Sequence, residues 1–177
     1  MGPIIILLLS LISAGREFSD PTSTYLEKSI NKGNWNLGGQ GSLSYETTTG
    51  FNTHLAANAE YFFKDRFSLG LKSNFIDNGP YTLSGLGLKS TYHFYETDRM
   101  SYFIAGDLSH YNLNGPISND HWALTTGIGF NYFITPNIAF GPRLEWSQPI
   151  WDKTSSASQS TYSKRQINIP IGFSLFF

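Results

Sequence analysis

Residues Ile167 to Phe177 alternate along their whole length. Ile167, Ile169, Ile171, Phe173, Leu175 and Phe177 fall on one side of an extended chain, and Asn168, Pro170, Gly172, Ser174 and Phe176 on the other. Successive side chains of a strand point to opposite faces, so this segment predicts a strand with one wholly apolar face and one mostly small or polar. The same period recurs along nearly the whole chain. It predicts strands over Trp35–Tyr45, Phe51–Phe63, Phe67–Phe75, Tyr81–Phe94, Ser101–Tyr111, His121–Ile134 and Ile138–Ser147, and a last strand from about Tyr162. No long window carries a competing helical period.

The connections alternate in length. Lys64-Asp65-Arg66, Tyr95 to Met100 and Thr135-Pro136-Asn137 are compact turns, whereas Asn112 to Asp120 and Gln148 to Thr161 are long and polar. Glu46 to Gly50 and Asp77 to Pro80 lie at the long-loop end as well. An even number of strands of roughly ten residues each, joined by short turns at one end and longer loops at the other, is the pattern of a transmembrane meander. The predicted fold is all-β: an eight-stranded antiparallel up-and-down transmembrane β-barrel over residues 34–177, with both termini on the short-turn side.

Periodicity alone does not say which face looks outward. A soluble lipocalin-like ligand-binding barrel would turn the apolar face in. The other face carries Glu60, Lys72, Lys89, Asp107, Arg143 and Glu145 at mid-strand positions, among many Gly, Ser and Asn. Only 14% of residues are charged, too few for a soluble exterior, while 16% are aromatic. The charged face is therefore expected to line a narrow lumen as a polar network. Aromatic residues gather near the strand ends, and Tyr45, Phe63, Phe67, Phe94, Tyr102, Trp122, Tyr132 and Trp146 are expected to form interfacial girdles. An eight-stranded bore is just wide enough for side chains to fill, which argues against a solute pore. Pro142 and Pro170 fall inside the last two strands, where a missing N–H loses a ladder bond, so bulges or a weak seam are expected there.

The formal net charge of −1 leaves no basic footprint for nucleic acid, and the absence of Cys removes thiolate chemistry. Ile4 to Ile12 is too short to span a bilayer as a helix and has the length of a signal-peptide core, followed by Ser13 and Gly15 at the small-residue positions. Residues 1–15 are thus expected to be a leader and 16–33 a polar periplasmic lead-in.

Lys32-Gly-Asn-Trp-Asn-Leu-Gly-Gly39, Ala59 to Gly70 and Phe130 to Gly141 resemble segments of the small outer-membrane β-barrels of the OmpA/OmpX type, and more closely the short porin-family barrels of Gram-negative, Bacteroidetes-like bacteria. In the latter two segments an aromatic strand end is followed by a tight polar turn and an apolar strand ending in Gly. The resemblance covers residues 32–177 and implies an outer-membrane location with periplasmic termini. Ile171, Phe173, Leu175 and Phe177 are similar to the C-terminal signal read by the outer-membrane assembly machinery. Outer-membrane lipid, including lipopolysaccharide, and other envelope proteins are the further partners it implies.

Candidate chemistry is sparse. Asp107, Ser109 and His110, with His121 across the loop, form the best local set for a lipid-A-modifying enzyme. Ser109 and His110 are sequence neighbours, however, and so face opposite ways on a strand. His54 and His93 read as polar filler, and the four His without Cys make no metal site. The expected role is structural or surface contact, or a subunit of an envelope complex, with no catalytic residue and no cofactor. An enzyme or a small-solute pore on the same barrel is the alternative.

Overall fold

The computed structural model describes residues 29–46, 50–77, 79, 82–114, 119–152 and 166–177. The expected leader, most of the lead-in and parts of four loops lie outside these residues. The strands are β1 (Trp35–Glu46), β2 (Gly50–Lys64), β3 (Phe67–Asp77), β4 (Thr82–Glu96), β5 (Met100–Asn114), β6 (Asn119–Thr135), β7 (Ile138–Asp152), β8 (Gln166–Asn168) and β9 (Ile171–Phe176). Each of β1 to β7 pairs antiparallel with the next, and β9 closes the barrel by pairing with both β7 and β1. Counting β8 and β9 as one interrupted strand, this is the closed eight-stranded barrel that the alternation predicts.

The oily face is outside. Leu69 and Phe173 are 47% and 54% exposed, whereas Lys72, Arg143 and Glu145 retain 3%, 5% and 7% of their surface. A soluble barrel would show the reverse.

One expectation changes, and the disturbance expected at the prolines is seen. The strands are longer than the apolar stretches suggested: β5, β6 and β7 extend into the expected Asn112–Asp120 and Gln148–Thr161 loops, and β4 reaches Glu96. Backbone pairing continues as long as the partner strand does, and polar side chains tolerate the ladder once it leaves the apolar belt. The last strand, in turn, is broken at Ile169-Pro170. The Arg143 N–H donates to the Pro170 carbonyl at 3.0 Å, but Pro170 has no N–H to return the bond. Pro142 sits opposite Ile171, beside this break, and the β6–β7 pairing skips from Gly129–Arg143 to Tyr132–Phe140 around it. The prolines therefore weaken the ladder on both sides of β7.

The inward face is not polar throughout, another departure from the sequence reading. At the turn end Phe62, Phe133, Phe176 and Ala139 point inward and pack with Ile30 from the N-terminal segment. That segment is tied under the barrel: the Gly33 N–H donates to the Phe62 carbonyl at 2.7 Å, and Arg66 N–H to the Ile30 carbonyl at 2.8 Å. Ser29 Oγ donates to the Pro136 carbonyl in the adjacent turn. At the loop end Leu83, Tyr111, Leu113 and Ala123 form a second inward cluster, with Ile76 against it. The bore is layered, with a charged middle between two apolar stoppers. Each ring so removed from water contributes about 1.5–3 kcal/mol.

Backbones approach closely at Gly141, where a Cβ would overlap the Phe130 carbonyl; a Cβ at Gly106 would meet nothing nearer than 3.9 Å. We expect Gly141→Ala to lower the unfolding free energy by about 1–3 kcal/mol through overpacking, and Gly106→Ala to change it by less than about 0.5 kcal/mol. Urea titration in lipid vesicles, followed by tryptophan fluorescence, separates the two. Equal effects would contradict the close approach.

Candidate functional site

The charged residues predicted to face inward lie in the middle layer, and the structure resolves how they pair. Glu60 is the hub. Its Oε1 accepts from Lys89 Nζ and Asn58 Nδ2, both at 2.8 Å, and its Oε2 from Ser68 Oγ at 2.9 Å and Thr91 Oγ1 at 2.6 Å. A carboxylate that is fully buried and accepts four hydrogen bonds has its lone pairs satisfied without water. Lys72 Nζ meets Asp107 Oδ2 at 2.9 Å, and Asp107 Oδ1 accepts from Ser109 Oγ at 3.0 Å.

Arg143 and Glu145 follow one another two residues apart on β7 and are bridged by Gln40 of β1. Arg143 Nη1 donates to Gln40 Oε1 at 2.9 Å, and Gln40 Nε2 donates to both Glu145 oxygens at 3.0 Å. The Arg143 guanidinium also lies over the Phe103 ring, 5.2 Å from its centroid, a cation–π contact in a desolvated place. The six groups comprise three acids and three bases, so their formal charges cancel.

Inward glycines make this packing possible. Gly70 sits in register between Glu60 on β2 and Lys89 on β4, and with no side chain there the two can meet across β3. Gly129 sits in register between Phe103 and Arg143, and a Cβ on it would lie 2.9 Å from the ring and 3.1 Å from the arginine stem. Gln40, Asn58, Ser68 and Thr91 belong to the network although the sequence reading did not single them out; their signal was only their parity with the charged positions.

The remaining candidates separate. His110 lies on the outer face with its ring 5.0 Å from Trp122, while Ser109 points in to Asp107, so the two do not form a nucleophile–base pair. His121 stacks on Tyr111 at 5.3 Å. His93 is buried between Phe62 and Phe103 and hydrogen-bonds through Nδ1 with Ser101 Oγ at 2.6 Å. Among the described residues no group of three or more His, Asp or Glu could hold a metal ion.

On the outside, aromatic contacts run around the turn end: Trp35 with Tyr61, Phe63 with Phe67, Tyr95 with Tyr102, Tyr102 with Phe130, and Tyr132 with Phe140, at centroid distances of 4.9–5.9 Å. Phe94 is the extra residue of a bulge between His93 and Tyr95 in the β4–β5 pairing. Trp122 stands near the loop end and Trp146 pairs with Ile167, while the side chain of Tyr45 is outside the described residues. Ile171, Phe173, Leu175 and Phe177 all face outward on the closing strand.

No family model and no curated protein matches the chain by sequence. Solved structures do match its fold. The N-terminal β-barrel domain of Pseudomonas aeruginosa OprF superposes with a TM-score of 0.63 at 16% identity, over 82% of this chain and 98% of that one. Neisserial surface protein A gives 0.60 at 14% identity, over 81% and 96%. Pseudomonas aeruginosa OprG gives 0.56 at 12% identity, over 85% and 98%. At such identities the likeness speaks for the fold: the chain has the architecture of the small eight-stranded outer-membrane β-barrels.

Removing Glu60 strands a buried ammonium and three donors. We expect Glu60→Ala to destabilise the barrel by about 3–5 kcal/mol. The double variant Glu60→Leu/Lys89→Met should recover part of that loss, because the charge is gone while Ser68, Thr91 and Asn58 still lack their acceptor. Unfolding in vesicles checks both, and a neutral Glu60→Ala would remove the hub.

Proposed function

We propose that the chain is an integral outer-membrane protein with a blocked, charge-lined bore and periplasmic termini, whose work is done by its outer surface and its loops rather than by passage of solutes. One observation carries this reading: exposed Leu, Ile and Phe cover the wall, while the charged side chains are enclosed between two apolar stoppers. The barrel inverts the usual solvent arrangement, which suits acyl chains outside. In this reading the aromatic ring at the turn end marks the periplasmic interface, and Ile171, Phe173, Leu175 and Phe177 present the signal by which the assembly machinery inserts the strand. The loops face outward and make structural or adhesive contacts, alone or as part of a larger envelope complex. The network is a filler that holds the eight strands in register and has no catalytic part.

Two measurements test this. The folded protein is expected in the outer-membrane fraction with heat-modifiable gel mobility. In planar bilayers the native chain should show no steady conductance, whereas Phe62→Ala/Phe133→Ala/Phe176→Ala, which removes the lower stopper, should raise the leak. Stable conductance by the native protein would overturn the blocked-bore reading, and a soluble monomer in the absence of detergent would overturn the membrane reading.

A further inference from the structure

The barrel wall has an unlaced seam. β1 pairs with β9 from Asn36–Phe176 as far as Gly41–Ile171, yet β1 continues to Glu46. The chain that faces this upper half of β1, β8, stays on β7 through Glu145–Asn168, Trp146–Ile167 and Ser147–Gln166 and, among the described residues, has no pairing with β1. The split begins at Pro170, where the last strand loses its regular ladder. Four exposed apolar side chains flank it: Leu43 at 77%, Ile167 at 71%, Ile169 at 68% and Ile171 at 65%.

Below the split the outer wall carries a groove of about 440 Å³, lined by Gly39, Gly41, Leu55, Ala57, Ile171 and Phe173. Its walls are carbon and glycine backbone. That volume falls within the ~300–1,000 Å³ of ordinary small-molecule sites. The inner side of the same place is polar: Arg143 packs against Gly172, and its Nε, on a residue only 5% exposed, has no hydrogen-bond partner among the described residues.

An open strand edge inside hydrocarbon is costly, because N–H and C=O groups there have no water to meet. The feature calls for an occupant with two properties: a long apolar chain to fill the groove, and ester, amide or hydroxyl groups at its head to bond the open edge. We propose that the seam between β1 and β8 is a binding site for one acyl chain of lipid A. This rests on the outer-membrane reading above, which turns the loop end, and so the split, toward the lipopolysaccharide leaflet.

The test is native mass spectrometry of the protein extracted from vesicles holding equal amounts of lipid A and phosphatidylglycerol. The native chain should retain one lipid A. Gly41→Leu fills the groove; a Cβ there sits 3.3 Å from the flexible end of Leu55, with the nearest backbone atom at 3.7 Å. Leu43→Cys/Ile169→Cys, positions that face one another if the register of Gly41–Ile171 is continued, laces the seam on oxidation. Retention should fall about tenfold in Gly41→Leu and in the oxidised pair, return when the pair is reduced, and stay unchanged in Leu71→Ala on β3. Equal retention by open and laced forms, preferential retention of phosphatidylglycerol, or a lipid-free dimer joined at this face would each overturn the proposal. Heat-modifiable mobility is read on the same samples. An inserted barrel that retains no lipid A sinks this assignment alone, and a chain that does not insert sinks the outer-membrane reading beneath it.

Discussion

A sheet that lives in hydrocarbon must hydrogen-bond to itself all the way round, because lipid offers no partner to a stray N–H or carbonyl. The rest of the molecule follows from this requirement. It forces the first strand to meet the last, and β1 does so through β9. It forces the apolar face outward, and with closure the charged face has nowhere to go but the bore. Charges placed there must then pair among themselves, since they retain almost no contact with water.

The interior obeys a simple packing rule. The bore of eight strands cannot hold a large side chain at every inward position. Where Glu60 and Lys89 reach for each other, the strand between them presents Gly70; where Arg143 lies on Phe103, it presents Gly129. Long charged side chains and inward glycines are thus two halves of one arrangement. Their energetic worth is mainly negative in sense: an intact buried pair contributes little over an apolar one, but half a pair is expensive. Such a network penalises any register slip that would separate the partners.

The same closure requirement makes the exception at Pro170 informative. A proline inside a barrel strand removes a ladder bond, and here a second one, Pro142, stands opposite the adjacent residue. The wall is thinnest where these two meet and where β1 carries glycine on its outer face. There Gly39 and Gly41 leave room on the outer face for the groove between Leu55 and Phe173.

How much of this is legible in the residues follows from what period two can and cannot say. Parity gave the strands and put Glu60, Lys72, Lys89, Asp107, Arg143 and Glu145 opposite the apolar face, because each depends only on which side of its own strand a residue falls, whereas the even count came from the connections, the outward turn of the apolar face from the scarcity of charge, and the weakness at the two prolines from their missing N–H. The stoppers escaped it. Tyr61-Phe62-Phe63 and Tyr132-Phe133 are runs of aromatics, so one ring of each must point inward, yet an aromatic among aromatics reads as part of the greasy face; Phe176 fell on the inner side by parity, but a single ring among small and polar residues did not announce a cluster. Partnership escaped it as well. That Glu60 takes Lys89, or that Gln40 joins Arg143 to Glu145 across more than a hundred residues, is set by strand register and barrel closure. The unlaced stretch of β1 is of the same kind, since whether an edge is paired is a property of two strands at once. What one strand decides alone was in the sequence; what neighbouring strands decide together was left to the tertiary structure, because hydrogen-bond register and the meeting of side chains across a closed sheet are long-range facts.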